Sequence, residues 1–277
     1  MRIDRKIRSL IEKSRMKFNG TFGCLPNPEK WVFIVGCYGS GTTLLNKMLA
    51  THPMVGSLPM EGQFLTDQLP MPRSYGLARL WALRPEFFYL DEHSPGSRQA
   101  LKIKRQWGTR FNDPTRPILI EKSVPNMARI RWLEKNFAPA HFIAIIRSPY
   151  AVAESIRRKK SNALEDCARQ WLKSNQIMLR DLDLVKSKHI IQYEQLTENP
   201  NKTWQEILDF IGIEDQRGDI SELKWQIHGN DSRITNMNAR YLDSLSDQDL
   251  TIIEGLTEPL LSQFNYKVGG SAASLVE

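Results

Sequence analysis

The run Trp31-Val-Phe-Ile-Val35-Gly36-Cys-Tyr-Gly39-Ser40-Gly41-Thr42-Thr43-Leu44-Leu45 constrains this chain more than any other segment, because it reads as strand, glycine-rich turn and helix start without interruption. Trp31 to Val35 are all apolar, as a strand buried on both faces requires, and Leu44, Leu45, Met48 and Leu49 give the next helix an apolar face. Gly36, Gly39 and Gly41 let the backbone turn tightly. Free N–H groups at such a helix start point at an anion, and the paired hydroxyls of Thr42 and Thr43 can either cap the helix or grip oxyanion oxygens. The segment therefore reads as a phosphate cradle, with a plain strand-to-helix turn as the blander alternative. Gly36 and Gly41 have the spacing of the nucleotide-triphosphate loop, yet Thr42 stands where that loop carries its lysine, so a triphosphate loses its main cationic partner.

Further short apolar runs at 117–121, 141–147 and 188–193 recur at the spacing of βαβ units. Helical patterns fill 126–136, 150–160, 164–185, 200–211 and 247–264, with Asn199-Pro200 and Ser246 to Asp249 as helix starts. The expected architecture is an α/β three-layer sandwich with a central parallel sheet. Residues 54–116 are rich in proline, arginine and aromatics and read as an insertion beside the cradle; 213–241 is polar and irregular, either a loop folding over a ligand or a long surface connection.

The net charge of +7 suits an anionic ligand, but no nucleic-acid-binding signature accompanies it, and no nucleic-acid partner is expected. The three cysteines lack C-x-x-C spacing and read as reduced thiols, which points to a cytoplasmic location. No apolar run is long enough to span a membrane. Residues 1–30 read as a basic helical extension with Ile3, Ile7, Leu10 and Ile11 on one face, suited either to packing on the domain or to peripheral membrane contact. His93, His141, His189 and His228 have no partners at metal-ligand spacing, and no metal is expected.

A second anion site is encoded at the end of the 141–147 strand, where Arg147 is followed eight residues later by Ser155. A guanidinium and a hydroxyl at the carboxyl end of a parallel strand can hold another phosphate. Together with Ser40-Gly41-Thr42-Thr43-Leu44, Glu121-Lys122-Ser123 and Tyr193-Glu194-Gln195-Leu196, this makes the sequence resemble the sulfotransferases that use 3′-phosphoadenosine 5′-phosphosulfate, over about residues 31 to 265. The tyrosylprotein and glycan branches of that family are the more similar.

The resemblance implies a P-loop NTPase-like sulfotransferase fold over 31–268, with 54–116 on the acceptor side and 269–277 as a tail. It implies a phosphoadenosine phosphosulfate co-substrate held by Gly39, Ser40, Gly41, Thr42, Thr43, Leu44, Arg147, Ser155 and Tyr193, with 3′,5′-adenosine bisphosphate as product. The acceptor is a small molecule, glycan, lipid or peptide. By the same resemblance Glu61 is the base and Lys122 the donor to the breaking bond, with His52 as the other candidate base. Gly39 departs from the family's lysine or arginine at that place, and Lys122, then Arg73, are the candidate substitutes. A P-loop kinase-like phosphotransferase and a non-catalytic nucleotide-binding relative are the alternative functions.

Overall fold

A computed structural model describes residues 2–215, 217–227 and 230–266. His228 and the expected tail 269–277 lie outside the described residues. Five parallel strands, β1 (Lys30–Val35), β2 (Val55–Ser57), β3 (Ile118–Lys122), β4 (Ala140–Ile146) and β5 (Lys188–Gln192), form one sheet in the order β2-β3-β1-β4-β5. A short antiparallel pair, β6 (Trp225–Ile227) and β7 (Asn230–Ser232), stands apart from it.

β1 explains the layering. Trp31, Phe33 and Val35 enter one apolar cluster, whereas Val32 and Ile34 enter the other, and all five are essentially inaccessible to solvent. The period-two alternation of a strand thus feeds two cores, and both faces of the sheet must be covered. α1 (Arg2–Phe22) precedes the sheet, and α2 (Thr42–Ala50) follows β1 directly. The first face is covered by α3 (Ser97–Gly108), α4 (Ile130–Asn136), α5 (Pro149–Lys160) and α6 (Leu164–Leu182). The second face is covered by α2, α7 (Tyr193–Glu198) and α8 (Pro200–Ile211). After α9 (Asn238–Leu242), α10 (Asp247–Leu261) returns to the first face, its start capped by the reciprocal Ser246–Asp249 bonds. Edge-on aromatic contacts tie the first core together, with Phe137 set against both Trp31 and Phe33 at centroid distances of 5.1 and 5.5 Å.

The strand order places the switch point beside β1. The chain leaves β1 for the edge strand β2, returns inward with β3 between β2 and β1, then crosses to β4 on the other side of β1. The loops after β1 and β4 consequently face one crevice at the carboxyl edge of the sheet. Two features were not legible beforehand. β2 is only three residues long, too short to show a pattern, and it joins the sheet from within the 54–116 stretch. Ile103 and Trp107 of α3 are likewise fully buried in the main core, so this stretch is part of the domain's body rather than an appendage.

A buried carboxylate binds that stretch to β3. Glu121 is 1% exposed; its Oε1 accepts from the Gly62 N–H at 2.8 Å and from the Ser123 hydroxyl, and its Oε2 accepts from the Asn126 amide. Trp107 donates to the Gly62 carbonyl at 2.9 Å, and the Ser123 hydroxyl accepts from the Gln63 N–H at 3.0 Å. A Cβ on residue 62 would lie 2.7 Å from Glu121 Oε1, so only glycine lets the loop approach this closely. Burial pushes the Glu121 carboxyl up from 4.5 to about 7, against the pull of the Ser123 and Gly62 donors.

The sign of the pH effect follows. Between these two values the folded protein keeps a proton that the unfolded chain releases, so stability from this group is complete below 4.5 and is lost as the pH rises to about 7. Urea midpoints measured from about pH 5 to about pH 8 should fall across this window and flatten in Glu121→Gln. A wild-type midpoint that rises through the same window would contradict this account.

Candidate active site

The loop after β1 carries the site's floor. Gly39 and Gly41 have φ of +78° and +97°, in the left-handed region, and the ring of Tyr193 lies 2.7 Å from where a Cβ on residue 41 would stand. At residue 39 the added Cβ would meet Ser155 Oγ at 2.8 Å, so a longer side chain there is opposed both by backbone conformation and by space. Thr42, Leu44 and Leu45 are buried, Leu44 in the second core, which anchors the first turn of α2 and leaves its backbone N–H groups to the crevice. Ser40 is 1% exposed, and its hydroxyl has no hydrogen-bond partner among the described residues.

Arg147, just beyond β4, closes the other side. Its Nη1 donates to the Gly39 carbonyl at 2.7 Å and its Nε to Asn238 Oδ1 at 2.8 Å, while the guanidinium lies over the Tyr193 ring, 4.0 Å from the centroid. Nη2 is buried without a partner among the described residues. The two phosphate-type motifs are therefore joined directly, and one guanidinium nitrogen and one serine hydroxyl remain to receive an anion. The residues fit a phosphorylated ligand on this ground. Tyr193 itself is clasped by the polar 235–238 segment: its hydroxyl donates to the Thr235 carbonyl at 2.9 Å and accepts from the Met237 N–H at 3.1 Å. Glu194 accepts from Asn238 Nδ2 at 2.7 Å and from the Tyr266 hydroxyl at 3.0 Å. Thr235, Met237, Asn238 and Tyr241, from the polar 213–241 stretch, thus contact Arg147 and Tyr193.

Glu61 and Lys122 come together across the crevice. Lys122 Nζ donates to Glu61 Oε1 at 2.9 Å and reaches Thr43 Oγ1 at 3.4 Å; the side chains retain 12% and 19% exposure for lysine and glutamate, so solvent and solutes can reach the pair. Gln63 Nε2 donates to Glu61 Oε2 at 2.6 Å, so both carboxylate oxygens are held, and the anchored Gly62–Gln63 backbone sets where they stand.

His52 is committed elsewhere. Its Nδ1 accepts from the Met54 N–H at 3.2 Å, which leaves Nε2 to donate to the Glu214 carbonyl at 2.8 Å, and the ring is 4% exposed. Arg73 is exposed in the 3₁₀ turn Pro72–Tyr75. Sequence reasoning missed Arg79. Its guanidinium lies 5.2 Å from the Tyr38 ring centroid, one residue before Gly39, and its own φ is +67°. Tyr38 in turn feels the charges of both Glu61 and Arg79. The only signal in the sequence was an arginine within an arginine-rich stretch, too common to single out. Among the described residues no group of three or more His, Cys, Asp or Glu side chains is placed to hold a metal ion.

Comparison with known proteins agrees with this geometry. Residues 32–217 match the profile of the Sulfotransferase family. Protein-tyrosine sulfotransferase 2 of Gallus gallus is 26% identical over 192 residues, covering 66% of this chain and 51% of the relative; Protein-tyrosine sulfotransferase 1 of Danio rerio is 26% identical over 199 residues, covering 66% and 53%. The chain thus spans about half the length of the curated relatives it matches. Among solved structures, the sulfotransferase domain of the Synechococcus PCC 7002 olefin synthase superposes with a TM-score of 0.56 at 23% identity, over 88% of this chain and 97% of that one. The sulfotransferase domain from the curacin biosynthetic pathway gives 0.51 at 20% identity, over 87% and 99%. With the profile spanning most of the sheet and both anion-binding elements, this chain belongs to the sulfotransferase family.

Proposed function

We propose that this chain transfers a sulfuryl group from 3′-phosphoadenosine 5′-phosphosulfate to a hydroxyl or amine, by in-line displacement. One observation carries the reading: Lys122 touches both Thr43 of the nucleotide-type loop and the Glu61 carboxylate, so a cation and a base meet at the edge of the phosphate cradle. The bound co-substrate supplies an activated sulfuryl group, with 3′,5′-adenosine bisphosphate as the departing half. The N–H groups of Gly41, Thr42, Thr43 and Leu44, with the Ser40 and Thr43 hydroxyls, would hold its 5′ side; Arg147 Nη2 and Ser155 Oγ would hold its 3′-phosphate; and Tyr193 backs the site.

Glu61 accepts the proton of the attacking group, and Lys122 donates toward the oxygen that gains charge as the bond breaks. Arg79, held beside the loop by Tyr38, supplies the positive charge that the family places at residue 39 and that Gly39 lacks. Residues 31–268 form the catalytic domain in this reading, and 54–116, which carries both Glu61 and Arg79, forms the acceptor side. The relatives' names make a tyrosine-containing peptide the first acceptor to try.

Two measurements test the reading. Calorimetric titration should show 3′,5′-adenosine bisphosphate binding more tightly than ATP, with or without Mg²⁺, and Arg147→Ala should weaken that binding by about 2 to 5 kcal/mol while the protein still folds. Tighter binding of ATP would replace sulfuryl transfer with a kinase-like reaction. In a transfer assay that follows release of the bisphosphate, Glu61→Gln and Lys122→Ala should each lower turnover by roughly 10²-fold with little change in nucleotide affinity. Arg79→Ala should lower turnover by about tenfold, with partial recovery in Arg79→Lys. Near-normal turnover in the Glu61 and Lys122 variants would remove both from the mechanism, and a wild type that binds the nucleotide yet sulfates no peptide, phenol, glycan or lipid would mark a non-catalytic relative.

A further inference from the structure

α1 is amphipathic, and it is docked with its polar side inward. Glu12 pairs with Arg110, Asn19 Nδ2 donates to Thr109 Oγ1 at 2.9 Å, and the carbonyls of Met16 and Thr21 accept from Gln106 and Arg105, each at 2.8 Å. Gly20 is buried, and a Cβ on Gly23 would stand 2.4 Å from the Arg105 carbonyl oxygen, so the end of the helix is pressed closely against α3. The opposite side is apolar and open. Ile7, Leu10, Ile11, Phe18 and Phe22 are 50%, 63%, 59%, 63% and 73% exposed. At about 100° per residue they fall within a stripe about 120° wide, opposite Glu12, Met16 and Asn19. Phe18 and Phe22 stack along it, with ring centroids 5.2 Å apart.

Charge identifies the occupant of this face. α1 carries seven basic and two acidic residues, a net +5 out of the chain's +7. Arg15 and Lys17, both exposed, flank the stripe on its two sides, and Lys13 lies beyond Lys17. A second copy of the chain would bring two such helices together against mutual repulsion, whereas an anionic surface is attracted by the same charges. No helix among the described residues is long and apolar enough to cross a membrane, and α1 holds nine charged residues in 21. An apolar stripe bordered by lysine and arginine on a helix that does not span is the pattern of an interfacial helix.

We propose that α1 seats the protein on the surface of an anionic lipid bilayer, its Ile7–Phe22 stripe in the headgroup boundary and its basic flanks on lipid phosphates and carboxylates. The attachment reaches the acceptor side, because Gln106, which holds the Met16 carbonyl, also bonds Thr66 and Asp67 in the stretch that carries Glu61. The proposal does not depend on the sulfotransferase reading, and its test needs no nucleotide.

The full chain should float with phosphatidylcholine vesicles that contain phosphatidylserine, bind phosphatidylcholine alone far more weakly, and dissociate as salt is raised. Phe18→Ser with Phe22→Ser should weaken the binding at least about tenfold, and Lys13→Gln and Lys17→Gln by about fivefold each. All four positions are exposed, so thermal midpoints should stay at the wild-type value. Absence of flotation, or binding indifferent to phosphatidylserine and to the lysine variants, would overturn the proposal. So would a wild-type dimer in light scattering that the phenylalanine variant dissolves without any effect on vesicles.

Discussion

The structure depends on a strand that has no outer face. Every side chain of β1 from Trp31 to Val35 is buried, and alternate ones feed separate cores, so both sides of the sheet must be covered, as the helices flanking this parallel sheet do. The functional geometry follows from that burial. Once β1 is central and its neighbours are β3 and β4, the loops that follow these three strands emerge at one edge, bringing Gly39, Lys122 and Arg147 within a few side-chain lengths of one another.

Glycine at position 39 suits the local geometry of the loop. The left-handed backbone there and the Ser155 hydroxyl leave room for glycine, and the Gly39 carbonyl becomes an acceptor for Arg147. Positive charge approaches the loop from two other directions, Lys122 beside Thr43 and Arg79 over Tyr38. Both reach the site through the segment after β2 or the strand it packs on, and Glu121 holds that segment in register through the Gly62 N–H. A buried carboxylate with three donors thus does for the Glu61 side of the crevice what the glycine turn does for the nucleotide side.

α1 obeys a different logic. In the sheet's helices the apolar stripe faces the core; in α1 the stripe faces outward, and polar bonds to α3 hold it there. The charge follows the same division, with the rest of the chain close to neutral.

Sequence alone was enough for the elements with strong periodicity or rigid local chemistry. The β1–loop–α2 run, the strand ending in Arg147, the helix starts at Pro200 and Ser246, and the layered α/β class all follow from patterns within a few residues. β2 escaped because three residues carry no period, and the core membership of Trp107 escaped because proline and arginine mask periodicity in that stretch. Sequence could name Glu61, Lys122 and Arg147 by resemblance, but contacts between residues 61 and 122, 39 and 147, and 38 and 79 span long loops whose closure only the packed sheet determines. The same holds for the direction in which α1 faces. Its amphipathy is written in the residue spacing, but whether the apolar or the polar side meets the domain was decided by the complementary donors on α3, which no local pattern encodes.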